Sequence, residues 1–357
     1  MESIYNMTYP KMEQWALDHG WKKFRVQQIF KWLYKDRVYD FDEMTNLSKE
    51  TRAALKEDFD FNPLTLVRKQ VSKDGTTKFL FKTHDGALLE SVMMVFDYGN
   101  SICVSSQVGC NMGCAFCASG LTKKQRNLTT AEMVGQVMAV QKELDKTGER
   151  LSHVVVMGTG EPFDNYGNVM DFVNTVNHDR GLAIGARHIT ISTCGIVPKI
   201  LEFSKGHYQY NLAVSLHAPN DELRSKLMPV NRAYPLSELM DALKVYTTEN
   251  NRRLTFEYIL LKGVNDSPKH AHQLAKLLRG MNAYVNLIPY NAVDEHGFKS
   301  VSRAEAMVFY DILKKENIAV TIRKEHGNDI DAACGQLRIK EMRKEKEWKR
   351  TENQTSD

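Results

Sequence analysis

The chain has 357 residues, of which 42% are hydrophobic and 26% are charged, the composition of a globular protein with room for one large α/β domain and small additions. Six cysteines in a chain of this length exclude a disulfide-stabilised secreted scaffold, and a net charge of +4 is too weak to indicate nucleic-acid binding by itself. The first residues lack the basic and apolar regions of a signal peptide, and no apolar run has the length of a membrane span, so we expect a cytoplasmic enzyme with no membrane partner.

Residues 1–60 are predicted to form a small helical domain. Pro10 suits the first turn of a helix and Gly20 its end, and apolar residues then recur at helical spacing from Val26 to Leu33. Ser48 is a candidate N-cap for a third helix. The polar side of this segment carries six basic residues: Lys22, Lys23, Arg25, Lys31, Lys35 and Arg37. They predict contact with RNA, although such a run is also typical of a solvated helix face.

Residues 61–100 are predicted to form a short antiparallel β extension. Apolar runs alternate there with Asp-Gly pairs at Asp74-Gly75 and Asp85-Gly86, which are typical of tight hairpin turns. Glu90 lies within one of the predicted strands. Considered alone, such a residue is most often an outward-facing carboxylate.

The next segment begins with a loop that carries Cys110, Cys114 and Cys117 in a C-x3-C-x2-C spacing. This spacing lets one loop place three thiolates around a single inorganic centre. A structural zinc site and a fully ligated iron-sulfur cluster each take four protein ligands, so three cysteines leave one metal position open for a substrate. Zinc with a distant fourth ligand is the alternative, while the close local spacing disfavours disulfides.

Residues 101–325 are predicted to form a partial (β/α)6 barrel, because strands and helices alternate regularly after the cysteine loop. The strands are expected near residues 102–106, 153–158, 187–192, 210–216, 254–260, 284–288 and 318–323. The helices are expected near residues 130–145, 168–178, 198–205, 236–250, 269–280 and 302–315. In such a barrel the chemistry collects at the carboxyl ends of the strands.

Four of the predicted strands end in polar or glycine-rich residues. One runs into Gly158-Thr159-Gly160-Glu161-Pro162, and the others end at Ser192, at Ser215-Leu216-His217 and at Asn291. Each alone is a weak indication, since such residues often cap helices or fill a core. On successive strands of one barrel they predict a ring of ligand contacts.

Residues 326–357 are predicted to form a loop with a catalytic cysteine, followed by a basic tail. Cys334 has the small neighbours Ala333 and Gly335, which favour a reactive thiol, with a buried inert thiol as the alternative. Cys194 follows an apolar strand and is expected to be buried and inert. From Arg338 to Arg350, seven basic residues stand against three acidic ones, which indicates either a phosphate-binding tail or a solvated helix.

Taken together, the motifs resemble those of one family from about Phe24 to Leu337. In order, the chain contains Cys-Val-Ser-Ser-Gln-Val-Gly-Cys, the cysteine loop with Phe116, Gly-Glu-Pro, Ser-Leu-His, Leu-Met-Pro-Val-Asn and Asp-Ile-Asp-Ala-Ala-Cys-Gly-Gln-Leu. This set resembles the RlmN family of radical S-adenosylmethionine (radical SAM) methyltransferases, which modify adenosine in large-subunit ribosomal RNA. The antibiotic-resistance C8 methyltransferases are a sister group. Thr159 replaces a methionine that many members carry, whereas Pro162 is typical of the C2 branch.

The resemblance implies a role for each matching residue. Cys334 would carry a methyl group as S-methylcysteine, Cys103 would be its transient disulfide partner, and Glu90 is a candidate proton acceptor. A 4Fe-4S cluster would be held by Cys110, Cys114 and Cys117. S-adenosylmethionine would contact Gly160, Glu161, Ser192, Ser215, Leu216, His217 and Asn291.

The resemblance also implies substrates and partners. The enzyme would methylate C2 of a specific adenosine in 23S rRNA, and of the adenosine beside the anticodon in some tRNAs, with two S-adenosylmethionine molecules consumed per turnover. It would need a low-potential electron donor such as flavodoxin, and we expect a monomer. Two alternatives stay open: methylation at adenine C8, and a noncatalytic zinc-containing RNA-binding protein.

Overall fold

The structure is a computed structural model that describes residues 1–61, 64–291, 296–324, 326–327, 329–330, 337 and 341. Its N-terminal segment is helical, as the sequence predicts. The elements are β1 (Glu2–Ser3), α1 (Tyr9–Asp18), α2 (Phe24–Phe30), α3 (Lys49–Asp58) and β2 (Phe59–Asp60). Strands β1 and β2 pair in parallel, and α2 continues as a π-helical turn over Lys31–Asp36. Pro10 lies in the first turn of α1, and the Ser48 hydroxyl caps α3 by accepting a hydrogen bond from Thr51 N.

The N-terminal segment is tied to the rest of the molecule by polar contacts. The Asn6 side chain accepts a hydrogen bond of 2.7 Å from Ala131 N, at the beginning of the first barrel helix. Arg37 forms two hydrogen bonds, of 2.6 and 2.8 Å, with the Asp145 carboxylate near the end of the same helix. The segment is therefore anchored at both ends of one helix.

Ion pairs occupy part of the basic cluster in this segment. Arg37 is bound to Asp145, and the Lys31 ammonium lies 2.6 Å from the Asp36 carboxylate. Lys23 is more loosely placed, 3.5 Å from Glu13. The prediction of RNA contact therefore applies to the other members of the cluster, Lys22, Lys23, Arg25 and Lys35.

Four antiparallel strands follow in a meander. They are β3 (Leu64–Val71), β4 (Thr77–Thr83), β5 (Leu88–Phe96) and β6 (Gly99–Cys103). The two Asp-Gly pairs lie in the first two reversals, as predicted, and Gly75 and Gly86 have φ angles of +83° and +85° there. The extension is not a separate layer, because β6 pairs with β5 on one side and with a barrel strand on the other.

The remaining chain alternates between strands and helices. Its elements are β7 (Gln107–Val108), β8 (Arg126–Asn127), α4 (Thr130–Asp145), β9 (Leu151–Val156), α5 (Tyr166–Asn177), β10 (Ile189–Thr193), α6 (Val197–Lys205), β11 (Asn211–Ser215), α7 (Asp221–Leu227), α8 (Leu236–Asn250), β12 (Leu254–Leu260), α9 (Pro268–Leu278), β13 (Ala283–Pro289), α10 (Arg303–Lys315) and β14 (Ala319–Ile322). The short strands β7 and β8 pair only with each other. Helix α7 was not predicted, since it is short and carries two acidic and two basic residues, a composition typical of solvated helices and loops alike.

The main sheet has ten strands in the order β14-β13-β12-β11-β10-β9-β6-β5-β4-β3. From β6 to β14 all neighbours are parallel, which confirms the partial barrel that the alternation predicts. A cluster of buried apolar side chains runs from the N-terminal segment through the sheet to α10. The carboxyl ends of the parallel strands therefore meet at one edge. In the described part of the chain, no helix is both long and apolar enough to cross a membrane.

Candidate active site

A cavity of about 330 Å³ opens at the carboxyl edge of the parallel strands. It brings together most of the residues that the sequence analysis selected from separate motifs. Its lining includes Cys103, Cys110, Cys114, Cys117, Gly160, Glu161, Ser192, Ser215, His217 and Asn291. Glu90 and Leu216 are not part of this lining.

The cysteine loop is held in shape by its own backbone. Cys110 N donates to Thr122 O at 3.1 Å, and Cys117 N donates to Cys114 O at 3.2 Å. Gly109 has a φ angle of +81°, and a Cβ atom there would lie 2.2 Å from Lys123 O, so the entry to the loop requires glycine. These contacts direct all three cysteines to one cavity.

Burial disfavours the charged form of the loop thiols. It raises the pKa of Cys110 to about 11 and raises the pKa of Cys114 as well, and the neighbouring Cys117 adds to both shifts. Three thiolates this close need a positive centre to stay deprotonated, because their mutual repulsion is otherwise uncompensated. The donor set therefore fits a thiophilic metal centre.

The number of cysteines bears on the kind of centre. Cys110, Cys114 and Cys117 are each only partly buried. A structural zinc site takes four protein ligands, whereas a 4Fe-4S cluster held by three cysteines keeps one iron open for a substrate. The three thiols of this loop fit such a cluster.

The Gly158–Pro162 turn at the end of β9 depends on close backbone packing. A Cβ atom on Gly158 would lie 2.7 Å from Ser105 N, and one on Gly160, where φ is +113°, would lie 2.6 Å from the Gln107 Cβ atom. Gln107 in turn accepts a hydrogen bond of 2.9 Å from Glu161 N. The two glycines therefore let this turn lie directly against the segment that leads into the cysteine loop.

Glu161 is buried and organises the neighbouring strand ends. Its carboxylate accepts hydrogen bonds from Phe163 N at 3.0 Å and from Cys194 N at 2.7 Å. Burial raises the pKa of this carboxyl, and the backbone donors partly oppose the shift. Cys194 is buried, as predicted, but it also lines the cavity.

The Ser215–His217 motif continues β11 into the cavity. His217 has a φ angle of +56°, and its Nδ1 atom accepts a hydrogen bond of 3.0 Å from Ile259 N on β12. Burial lowers the pKa of the ring to about 3, so the imidazole is neutral. Phe116 of the cysteine loop meets this ring edge-on, with centroids 4.8 Å apart. Leu216 packs into the hydrophobic core instead.

Arg224 on α7 is fully buried, and the sequence analysis missed it. Its guanidinium donates to Cys194 O at 2.6 Å, to Leu216 O at 3.2 Å and to the Asn231 side chain at 2.9 Å. It therefore connects the ends of β10 and β11. The only indication in the sequence is its proximity to the Leu-Met-Pro-Val-Asn motif, which ends at Asn231.

A polar group on the far wall of the cavity was also missed. Glu257 on β12 accepts a hydrogen bond of 2.8 Å from the Asn286 amide on β13, and Arg323 lies nearby after β14. Burial raises the pKa of Glu257, and the Arg323 charge opposes that shift. In the sequence these residues look like ordinary polar positions in strands.

The predicted catalytic residues of the extension lie next to each other on one face of the sheet. Cys103 on β6 pairs with Val92 on β5, and both line the cavity. Glu90 lies two residues before Val92 on the same strand, so it shares that face. Glu90 is buried and forms an ion pair of 2.8 Å with Lys78 on β4, so it is not the outward-facing carboxylate that base rates favour.

Cys334 and the basic tail lie outside the described residues, apart from Glu341. The residues on either side of Cys334 contact the antiparallel extension. Gly327 N donates to the Asp74 carboxylate at 3.0 Å, and the Asp329 carboxylate accepts a hydrogen bond from the Ser72 hydroxyl. Leu337 packs with Leu80 and Leu88.

Comparisons with known proteins agree with this geometry. A family model of the radical SAM superfamily matches residues 104–275, and a model of the ribosomal RNA large subunit methyltransferase N-terminal domain matches residues 3–60. The crystal structure of a radical SAM methyltransferase from Sphaerobacter thermophilus superposes with a TM-score of 0.90 at 44% identity, covering 94% of this chain and 99% of that one. The chain is therefore a member of the radical SAM superfamily.

Sequence relatives place it more closely. The probable dual-specificity RNA methyltransferase RlmN of Enterococcus faecalis is 57% identical over 350 residues, which cover 97% of this chain and 98% of that protein. The protein of the same name from Listeria welshimeri is 56% identical over 347 residues, with coverages of 96% and 95%. Since identity at this level extends over nearly the whole length, the chain belongs to the RlmN family.

Proposed function

We propose that this protein is a radical SAM RNA methyltransferase that methylates C2 of a specific adenosine in the peptidyl-transferase region of 23S rRNA. Its second substrate is the adenosine beside the anticodon in some tRNAs. The observation that carries the proposal is the single cavity that joins the three-cysteine loop, the ring of strand ends and Cys103. The names of its relatives, which describe dual-specificity RNA methyltransferases, support RNA as the substrate.

Two sets of residues would bind the small molecules. Cys110, Cys114 and Cys117 would hold a 4Fe-4S cluster, which when bound supplies the electron that cleaves S-adenosylmethionine to an adenosyl radical. The S-adenosylmethionine contacts are Gly160, Glu161, Ser192, Ser215, Leu216, His217 and Asn291. His217 can serve as a hydrogen-bond donor there, because its Nδ1 atom is already an acceptor and the neutral ring therefore carries its proton on Nε2.

The target carbon explains why a protein thiol takes part. Adenine C2 lies between two ring nitrogens and is electron-poor, so it does not attack a sulfonium methyl group as a nucleophile. The Cys334 thiolate is a good nucleophile and takes the methyl group in its place. Its sulfur forms a bond to the methyl carbon as the bond from that carbon to the sulfonium breaks. The adenosyl radical would take a hydrogen atom from the new methyl group and become 5′-deoxyadenosine, which leaves a thiomethylene radical on Cys334 that adds to C2.

Release of the product needs the second thiol. The adduct would lose one electron, which the oxidised cluster would accept, and the C2 proton, for which Glu90 is the candidate acceptor. The Cys103 thiolate then attacks the Cys334 sulfur. The sulfur-sulfur bond forms as the carbon-sulfur bond breaks. The carbon keeps the electron pair of the broken bond and takes up a proton, which completes the methyl group. The position of Cys103 on the cavity wall, on the strand next to β5, whose Leu88 contacts Leu337, supports this role.

The remaining parts of the proposal concern domains and partners. Residues 1–60 would bind RNA, residues 61–100 would form the β extension, residues 101–325 the barrel, and residues 326–357 the catalytic loop and basic tail. The target base must leave its stack to reach a cavity of this kind. We expect a cytoplasmic monomer that receives electrons from a low-potential donor such as flavodoxin.

Mass spectrometry of anaerobically purified protein tests the proposal. The Cys334 peptide of the wild type should carry one added methyl group, and the Cys194 peptide of the same digest is the internal control that should not. Cys334→Ala should bind iron normally and produce no methylated RNA. Nucleoside analysis of the RNA product should give 2-methyladenosine.

Three results would contradict it. Unmodified Cys334 despite an intact cluster would rule out the methylcysteine intermediate. 8-Methyladenosine in the product would assign the enzyme to the C8 branch. Stoichiometric zinc that survives air, with no RNA methylation, would leave only a noncatalytic binding protein.

A further inference from the structure

The buried ion pair between Lys78 and Glu90 is unusual for its depth. The Lys78 ammonium lies 2.8 Å from the Glu90 carboxylate, and the two side chains are only 0% and 4% exposed. Lysine and glutamate are almost never fully buried unless they are paired. The resemblance to known enzymes suggested a role for Glu90 but none for Lys78.

Sheet register places the pair next to the proposed chemistry. Lys78 and Cys103 are the two cross-strand partners of Val92, so Lys78, Val92 and Cys103 form a row across β4, β5 and β6. Glu90 lies two residues along β5, and its carbonyl accepts a hydrogen bond of 2.7 Å from the Ser105 hydroxyl. By the strand period of two, the Lys78 and Glu90 side chains share a face with Val92.

The neighbours on that face fall into two groups. Towards the cavity lie residues that form part of its wall: Thr76, Val92, Met94 and Cys103. Towards the other end lie Leu80 and Leu88, which contact Leu337. The ion pair therefore separates the cavity from the contact site of the C-terminal segment.

Stability does not account for the pair. Desolvation of two charges offsets most of their attraction, and well-packed apolar side chains in their place are often at least as stabilising. The opposite face of the same strands already packs Phe79, Phe81 and Leu89 into the main core. The net stability of such a pair is therefore small, and its place beside the cavity wall points to a functional role.

We propose that Lys78 is a positioning residue whose ion pair fixes the Glu90 carboxylate in direction so that it can accept the C2 proton of the adenine adduct. This inference rests on the proposed function. In the step, the C2–H bond breaks, its electron pair stays on the ring, and the proton passes to a Glu90 oxygen, which becomes a neutral carboxyl. Before the step, the Lys78 ammonium holds one oxygen of the Glu90 carboxylate at 2.8 Å, which fixes the direction in which the carboxylate can accept the proton.

Separate measurement of the reaction stages tests this role. Three variants are compared with the wild type: Lys78→Met, Lys78→Arg and Glu90→Gln. Lys82→Met removes an exposed lysine four residues further along the same strand and is the matched control. For each reconstituted enzyme, thermal unfolding, methylation of Cys334, covalent RNA adduct on a denaturing gel and released 2-methyladenosine are measured.

We expect Lys78→Met to methylate Cys334 as the wild type does, to accumulate the covalent adduct and to release product about 100-fold more slowly, as for loss of a general base. Glu90→Gln should behave in the same way, Lys78→Arg should recover part of the release rate, and Lys82→Met should match the wild type. Product release at the wild-type rate from folded Lys78→Met would overturn the inference, as would a uniform loss of all stages with a lowered unfolding temperature.

A second variant covers the case in which Lys78→Met does not fold. Lys78→Met combined with Glu90→Leu removes both buried charges, so it should fold, methylate Cys334 and still accumulate the adduct. Normal release from this double variant would show that the pair has no catalytic role. Failure of the proposed function is distinguishable, because the wild type itself would then lack methylated Cys334.

Discussion

His217 shows how one side chain can join three parts of the site. Its Nδ1 atom binds Ile259 N, its carbonyl accepts a hydrogen bond of 2.8 Å from the Asn265 amide, and its ring meets Phe116 of the cysteine loop. The bond from Ile259 N requires an unprotonated Nδ1 atom, and burial, with a smaller contribution from the Arg224 charge, lowers the pKa of the ring to about 3. The residue also adopts the left-handed backbone region, with a φ angle of +56°, which asparagine tolerates better than alanine.

The low pKa of His217 predicts a pH-dependent stability. The unfolded chain binds a proton at this residue below a pH of about 6.5 and the folded chain only below a pH of about 3, so stability is lost as the pH falls between these values. His217→Asn lacks this loss. The wild type therefore loses stability between about pH 7.5 and pH 5.5, and the variant does not. The difference in free energy of unfolding between wild type and His217→Asn, measured by urea titration, should be smaller by about 1.4 kcal/mol at pH 5.5 than at pH 7.5.

His207 provides the control for this experiment. It has a similar left-handed φ angle of +45°, but it is exposed. His207→Asn therefore measures what the exchange itself does to stability at an exposed site with this backbone conformation. A deficit of His217→Asn that does not vary with pH would show that the folded protein does not hold this ring neutral.

At the scale of elements, the turn after β9 and the segment after β6 depend on each other. Ser106 N and Gln107 N both donate to Thr159 O, at 2.9 and 3.1 Å. This contact continues the pairing of β6 and β9 beyond the strands and fixes where the cysteine loop begins. It leaves no room for side chains at Gly158 and Gly160.

Gly160→Ala should therefore disrupt both the turn and the cysteine loop. The new methyl group would meet Gln107, and alanine is strained at a φ angle of +113°, so we expect a loss of about 2 kcal/mol or more in stability. Chemical unfolding and the visible absorbance of the reconstituted cluster measure the two effects.

Gly167 near the start of α5 is the matched position. A Cβ atom there meets no other atom within 4 Å, and its φ angle is an ordinary negative one. Gly167→Ala should be neutral or slightly stabilising and should keep the full cluster absorbance. Equal behaviour of the two variants would contradict the packing argument.

At the scale of the whole molecule, the N-terminal segment is bound along α4, and several of its basic side chains remain exposed to solvent. Arg37 is used in docking, whereas Lys22 and Lys23 are exposed and Arg25 lies over the Phe24 ring, 4.8 Å from its centroid. Cations next to an exposed aromatic ring suit contact with RNA phosphates and bases.

Replacement of Lys22, Lys23 and Arg25 by glutamine should weaken RNA binding and reduce its salt dependence. The slope of the logarithm of the binding constant against the logarithm of salt concentration should fall by about 2, if each charge contacts one phosphate of a partly single-stranded RNA. Fluorescence anisotropy at several salt concentrations measures it. The control removes three lysines that lie in helical ion pairs of the barrel: Lys199, Lys226 and Lys244. An equal slope in both triple variants would remove the N-terminal segment from the interface.

Much of the fold could be predicted because its determinants are local. Strand β12 and helices α4 and α8 have the predicted bounds, and the Asp-Gly turns lie where the meander reverses. Period and capping residues act within a few positions of the chain, so they can be read without knowledge of the fold. The same holds for the spacing of Cys110, Cys114 and Cys117, which one loop presents to one cavity.

The sequence by itself determined the order of elements, the cysteine loop and the glycine-rich turn of this protein, since each depends on residues close together in the chain. Only the tertiary structure decided which polar side chains are buried and with what partners. Lys78 and Arg224 resemble surface residues in the sequence, and their roles follow from strands and carbonyls that surround them in space. The physical reason is that the burial of a side chain depends on neighbours distant in sequence. Burial makes an unpaired charge costly and lowers the pKa of a histidine, so it decides how these side chains behave.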